Sequence, residues 1–137
     1  MTEHKANLVI DAAHSVLGRV ASYAAKQALL GKTVAIVNCN QTVITGKVRT
    51  TINEYNTTRR RGGSSLNGPF FPKHPDRIMK RTVRGMLSYT QQRGLDAFKR
   101  IRAYNEVPKE YADVKKITLL KNITAKTISL QELSKEI

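Results

Sequence analysis

Hydrophobic and polar residues alternate along this chain in a way that predicts a mixed α/β domain. Residues Asn7 to Ala12 (NLVIDA) form a short apolar run with β-branched members, ending at Asp11, as a buried strand does. Ser15 then offers an N-cap, and Leu17, Val20, Ala21, Ala24 and Ala28 recur at helical spacing until Gly31, where a left-handed C-cap would stop the helix. A second strand, Thr33 to Val37, follows directly. Strand, helix and strand with short connections make a βαβ unit with parallel strands. Gln41 to Thr45 (QTVIT) reads as a third short strand, and Thr50 to Arg61 as a helix with Ile52 and Tyr55 on one side.

Gly62 to Pro75 contains too many glycines and prolines for a helix or central strand, so it reads as an extended loop, carrying the adjacent aromatics Phe70 and Phe71. Next comes the most strongly patterned stretch, His74 to Leu87 (HPDRIMKRTVRGML). At about 100° per residue, Ile78, Met79, Val83, Met86 and Leu87 share one half of a helix. Arg77, Lys80, Arg81 and Arg84 share the other. Pro75 and Asp76 suit a helix start. A second helix over Leu95 to Tyr104 presents Leu95, Phe98 and Ile101 at i, i+3, i+6, with Lys99, Arg100 and Arg102 elsewhere on its surface. Val107 to Lys116 reads as polar linker, Lys116 to Ile123 as a strand, and Ser129 to Glu132 as a capping box opening a last helix.

At 137 residues this is one domain's worth of chain. Its expected parts are a βαβ-type core with a third strand over 1–58, a basic loop over 59–75, basic amphipathic helices over 76–104, and a linker, strand and short helix over 105–137. Charge sharpens the picture. The chain carries 24 Lys and Arg against 10 Asp and Glu, a net +14, and +10 of this lies in residues 59–102, where Asp76 and Asp96 are the acids. An ordinary solvated face would intersperse acids at i±4 to relieve like-charge repulsion. Their scarcity, the preference for Arg, which pairs bidentately with phosphate, and the repetition over two helices point to a polyanion. Nucleic acid is the leading partner. A membrane-surface helix is the alternative, but the apolar faces are what a core of this size needs.

Enzyme chemistry finds little support. His4, His14 and His74 are scattered, and the single cysteine, Cys39, allows neither a zinc-binding pair nor an intrachain disulfide; it reads as a small buried hydrophobe. The turn after the first strand, DAAHSVLG, has no GxGxxG, and no P-loop occurs. Asp11 with His14 would make an acid/base pair only if the turn brought them together; the plainer reading has Asp11 capping a turn and His14 exposed. Gly62-Gly63 suits a phosphate cradle or a simple flexible loop, and Phe70 and Phe71 suit base stacking or packing beneath the loop. No cofactor, metal or small-molecule substrate is expected. No apolar run approaches a membrane span and no signal-peptide pattern opens the chain, so the expectation is a cytoplasmic protein.

The motifs Ile10-Asp11-Ala12, Leu17-Gly18-Arg19-Val20-Ala21-Ser22, Val37-Asn38, Ile44-Thr45-Gly46-Lys47, Gly68-Pro69, Pro75-Asp76-Arg77-Ile78 and, above all, Arg81-Thr82-Val83-Arg84-Gly85-Met86-Leu87 occur in that order from about residue 8 to Tyr104. This pattern resembles the L-thirteen family of large-subunit ribosomal proteins, in its archaeal and eukaryotic-type branch. The resemblance implies a compact α/β domain with a small parallel sheet, bound to large-subunit rRNA and neighbouring ribosomal proteins, and a structural constituent rather than a catalyst. The residues expected to meet RNA are Arg59, Arg60, Arg61, Lys73, His74, Arg77, Lys80, Arg81, Arg84, Arg93, Lys99, Arg100 and Arg102, acting in a single copy rather than a homo-oligomer. A free RNA-binding regulator of mRNA, or a subunit of an RNA-modifying enzyme, is the alternative; the enzyme would need a cofactor pocket at the strand ends.

Overall fold

The computed structural model describes residues 6–60, 71–119 and 123–137. Four strands form a wholly parallel sheet. β1 (Leu8–Asp11) pairs with β2 (Val34–Val37) on one side and β5 (Ile117–Thr118) on the other, and β2 pairs with β4 (Ile101–Ala103), giving the order β4-β2-β1-β5. β3 (Val43–Thr45) lies outside this sheet and pairs antiparallel with β6 (Thr127–Ser129). The parallel α/β fold is as the pattern of the chain predicts.

The period-2 alternation of the strands divides the core into two faces. Ile10, Val34, Ile36 and Ile101 join one cluster with the buried residues of helix α1 (Leu17–Leu29), helix α3 (Pro75–Gly85) and helix α5 (Leu130–Glu136). Val9, Ala35 and Val37 point the other way and are covered by Tyr111. α1 buries Val20, Ala21, Ala24, Ala25 and Ala28, and four alanines let it lie close to its neighbours. Its end is a Schellman motif: Gly31, at φ 96°, donates to the Ala28 carbonyl, and Lys32 donates to that of Gln27.

Several local expectations are corrected. Ser15 does not cap α1. Val16 holds the N-cap position without a side-chain cap, while Ser15 is buried and its carbonyl accepts from Val43 N–H at 2.9 Å, tying β3 to the helix start. The helix expected over Leu95 to Tyr104 is α4 (Gln92–Lys99), and Ile101–Ala103 leaves it to become the edge strand β4. Pairing overrides helical spacing there: Val34 N–H donates to Arg100 and Tyr104 N–H to Ile36. The supposed linker contains a 3-10 turn, Lys109–Tyr111, whose buried tyrosine accepts Ala6 N–H on its hydroxyl. Of the strand expected over Lys116 to Ile123, β5 takes Ile117–Thr118 and residues 120–122 lie outside the described part, while β6 has no counterpart among the expected strands. Helix α2 (Val48–Arg60) begins two residues earlier than expected, and Arg61 with the loop to Phe70 lies outside the described residues. The capping box holds: Ser129 Oγ accepts from Glu132 N–H at 3.2 Å.

Two tight places are testable. A Cβ on Gly94 would sit 2.1 Å from the Ser88 carbonyl oxygen, a backbone atom that cannot swing aside. Gly94→Ala should therefore destabilise by about 2–3 kcal/mol and lower Tm by about 10 °C; an unchanged melting curve would contradict this close approach.

Cys39 is fully buried, and burial first of all pushes its thiol from 9.0 up to about 12, with Asp76 adding to the rise against a hydrogen bond to the Tyr104 backbone. A raised folded value means a stability contribution that is complete below the unfolded thiol's range and declines as pH climbs from there towards 12. Near pH 8, about the range where an exposed thiol reacts, alkylation should follow global unfolding. Rapid labelling of the native protein would refute the burial.

Candidate nucleic-acid interface

α3 is set by its start and by its buried face. His74 takes the N-cap position in extended backbone, Pro75 follows at the first helical position, and Ile78 N–H donates to the His74 carbonyl. Asp76 locks this end in place: its N–H donates to Asn105 Oδ1 and its Oδ1 accepts from Arg77 N–H, both at 2.9 Å. Ile78, Met79 and Val83 are then fully buried, with Leu87 just beyond the helix. Met86 departs from the expected apolar face. It is the C-cap residue and 44% exposed.

With that face buried, Arg77, Arg81 and Arg84 emerge together. They line a shallow groove of about 250 Å³, to which, among the described residues, Pro72 and Phe98 add apolar walls. Two of the arginines lie on aromatic rings. The Arg81 guanidinium carbon is 4.7 Å from the Phe71 ring centroid, and Phe71 is in turn set edge-on against Tyr55 at 5.4 Å. Arg84 lies 5.0 Å from the Tyr89 ring centroid. Each such contact contributes about 0.5–1 kcal/mol at an exposed site and narrows the side chain's freedom. The acids nearby bond elsewhere: Asp76 accepts from the Arg77 backbone N–H, and Asp96 from Gln92.

The other expected contacts are distributed unequally. Lys80 turns inward: its ammonium donates to the Ile101 carbonyl of β4 and sits 4.2 Å from the Phe98 ring centroid. Burial, and then the charge of Arg102, hold its pKa below the usual lysine value. Arg100 Nη1 donates to the Ala28 carbonyl at 3.0 Å, where the negative end of α1 favours a cation. Arg59 Nη1 donates to the Ile137 carbonyl at 3.0 Å. Arg60, Lys73, His74, Arg93, Lys99 and Arg102 are exposed. Arg61, Phe70 and the Gly62-Gly63 pair lie outside the described residues.

The groove's non-basic members were not foreseen as site residues. Phe98 reads from spacing as a core residue, yet it packs against the core and lines the groove as well. The adjacency of Phe71 to a cationic helix was the one available signal.

At the strand ends, Asp11 Oδ1 accepts from Ala13 N–H at 3.0 Å and from Asn38 Nδ2 at 2.9 Å, which closes the turn, while His14 is exposed at φ 58°. Among the described residues no group of three His, Cys, Asp or Glu could hold a metal ion, and no helix is long and apolar enough to cross a membrane.

Residues 5–110, which include all of α3 and the groove, match the family model described as Ribosomal protein L13. The chain belongs to the ribosomal protein L13 family. Large ribosomal subunit protein uL13 of Methanosarcina barkeri is 51% identical over 81% of this chain and 79% of its own length. The proteins of the same name from Natronomonas pharaonis, 44% identical over 98% of this chain and 93% of its own, and from Methanocaldococcus jannaschii, 42% identical over 94% and 96%, extend the likeness into the C-terminal region.

The inward lysine predicts a pH signature. A folded pKa below the unfolded 10.5 means that the folded state disfavours the charged ammonium. Stability conferred by Lys80 should therefore rise as pH climbs through its folded pKa towards the unfolded value. Urea unfolding of wild type and Lys80→Met, compared at neutral pH and near about pH 10, should shift in favour of the wild type at the higher pH. An unchanged difference would show the ammonium to be solvated, and a shift the other way would show that the fold favours its charge.

Proposed function

We propose that this chain is a structural constituent of the large ribosomal subunit, present in a single copy, which binds large-subunit rRNA through the α3 groove and its flanking cations and packs against neighbouring ribosomal proteins. The observation that carries the reading is the side-by-side placement of Arg77, Arg81 and Arg84 in one groove, with the nearby Asp76 and Asp96 bonded elsewhere, on a helix whose other face is core. Membership of the ribosomal protein L13 family, and relatives named as large-subunit proteins, support the ribosomal assignment. The role is architectural: the strand-end turn is closed by its own hydrogen bonds, and the exposed chemistry is cationic.

Arg60, Lys73, Arg93, Lys99 and Arg102 extend the groove's three charges, so roughly six to eight phosphates are within the capacity of this surface, giving a slope of log affinity against log salt of about −4 to −7. A slope shallower than about −2 would reject the multi-phosphate interface. Replacing Arg81 and Arg84 together by Ala should flatten the slope by about 1.5 while lowering Tm by only about 5 °C, the loss of their two ring contacts. A collapse of stability would show that these arginines serve the fold instead.

A further inference from the structure

The groove's lining is more specific than phosphate neutralisation requires. Phosphates need charge, and exposed lysines or arginines on a convex surface supply it. Here three guanidinium groups surround apolar walls, the Pro72 and Phe98 rings, inside a concavity. A paired RNA strand presents ionised, hydrated phosphates outward and keeps its base faces in the stack, so it has nothing apolar to offer such walls. An unpaired base does: its faces stack on aromatic rings and on guanidinium planes.

Two further features fit that ligand. Arg81 and Arg84 are each held against a ring, Phe71 and Tyr89, so their planes are ordered before anything binds. Arg77 and Arg84 are seven residues apart on α3, about 10 Å along its axis, and so bracket Arg81 with one cation on either side. An extruded nucleotide has a matching form, one planar base with a phosphate on each side.

We infer that the Arg77–Arg81–Arg84 groove is a binding site for a single unpaired RNA nucleotide, its base stacked among Phe98, Pro72 and the Arg81 guanidinium and its two phosphates on Arg77 and Arg84. The inference rests on the RNA-binding reading and adds the form of RNA that the groove selects.

The test titrates the full chain with two short hairpins matched in length, one fully paired and one with a single extrahelical 2-aminopurine. The bulged hairpin should bind about tenfold more tightly, the scale of one base–platform stack, and its emission should be quenched on binding. Arg81→Lys keeps the charge and loses the plane. It should erase most of the preference and the quenching while leaving the salt slope unchanged. Equal affinity for both hairpins with unquenched emission, or Arg81→Lys behaving as wild type, would overturn the nucleotide site while leaving general RNA binding intact. Failure of both hairpins to bind with any salt dependence would overturn the RNA reading itself.

Discussion

Three side chains on one face of α3, Ile78, Met79 and Val83, are fully buried, and the direction of every cation on that helix follows from this. Burying them contributes on the order of 6 kcal/mol. Repulsion between like charges spaced i,i+4, as Arg77 and Arg81 are, opposes folding by only about 0.2–0.5 kcal/mol per pair. The apolar term wins easily, so the helix tolerates a crowded cationic face that adds little to stability beyond its ring contacts. Such a face is retained at small cost where an anion will meet it.

The crowding is also managed locally. Lys80, between the two faces, is drawn to the Ile101 carbonyl and Phe98, which couples α3 to the edge strand β4 and to α4. Arg81 and Arg84 lie on aromatic rings rather than on acids. A carboxylate partner would have satisfied the charge and closed it to RNA, whereas a ring supports the guanidinium and leaves its hydrogen-bonding edge unneutralised. Together these contacts give a rigid cationic surface on a domain that belongs to the ribosomal protein L13 family.

What could be read in advance was local. The β1-α1-β2 unit and α3 follow from periodicities within a dozen residues, with Gly31 and Pro75 marking the ends. What could not be read depends on partners far along the chain. β4 is three residues long and exists because Val34 to Ile36 accept it as a parallel neighbour, against a helical spacing that pointed the other way. β3 and β6 find each other across more than eighty residues. The same division runs through the site. The charge of residues 59–102 marks the surface, but only the fold shows that Lys80, Arg100 and Arg59 bond to backbone carbonyls while Arg77, Arg81 and Arg84 line one groove. The aromatic supports were hidden for that reason too: Phe71 reaches Arg81, and Tyr55 reaches Phe71, from separate segments.

The most direct measurement is sucrose-gradient sedimentation of a cell lysate, following this chain across the gradient through a moderate-salt wash. A structural constituent held by many phosphate contacts should co-migrate with large subunits at close to one copy each and survive the wash. A pool that stays mainly at the top of the gradient would contradict the structural role and make a free RNA-binding protein the better description.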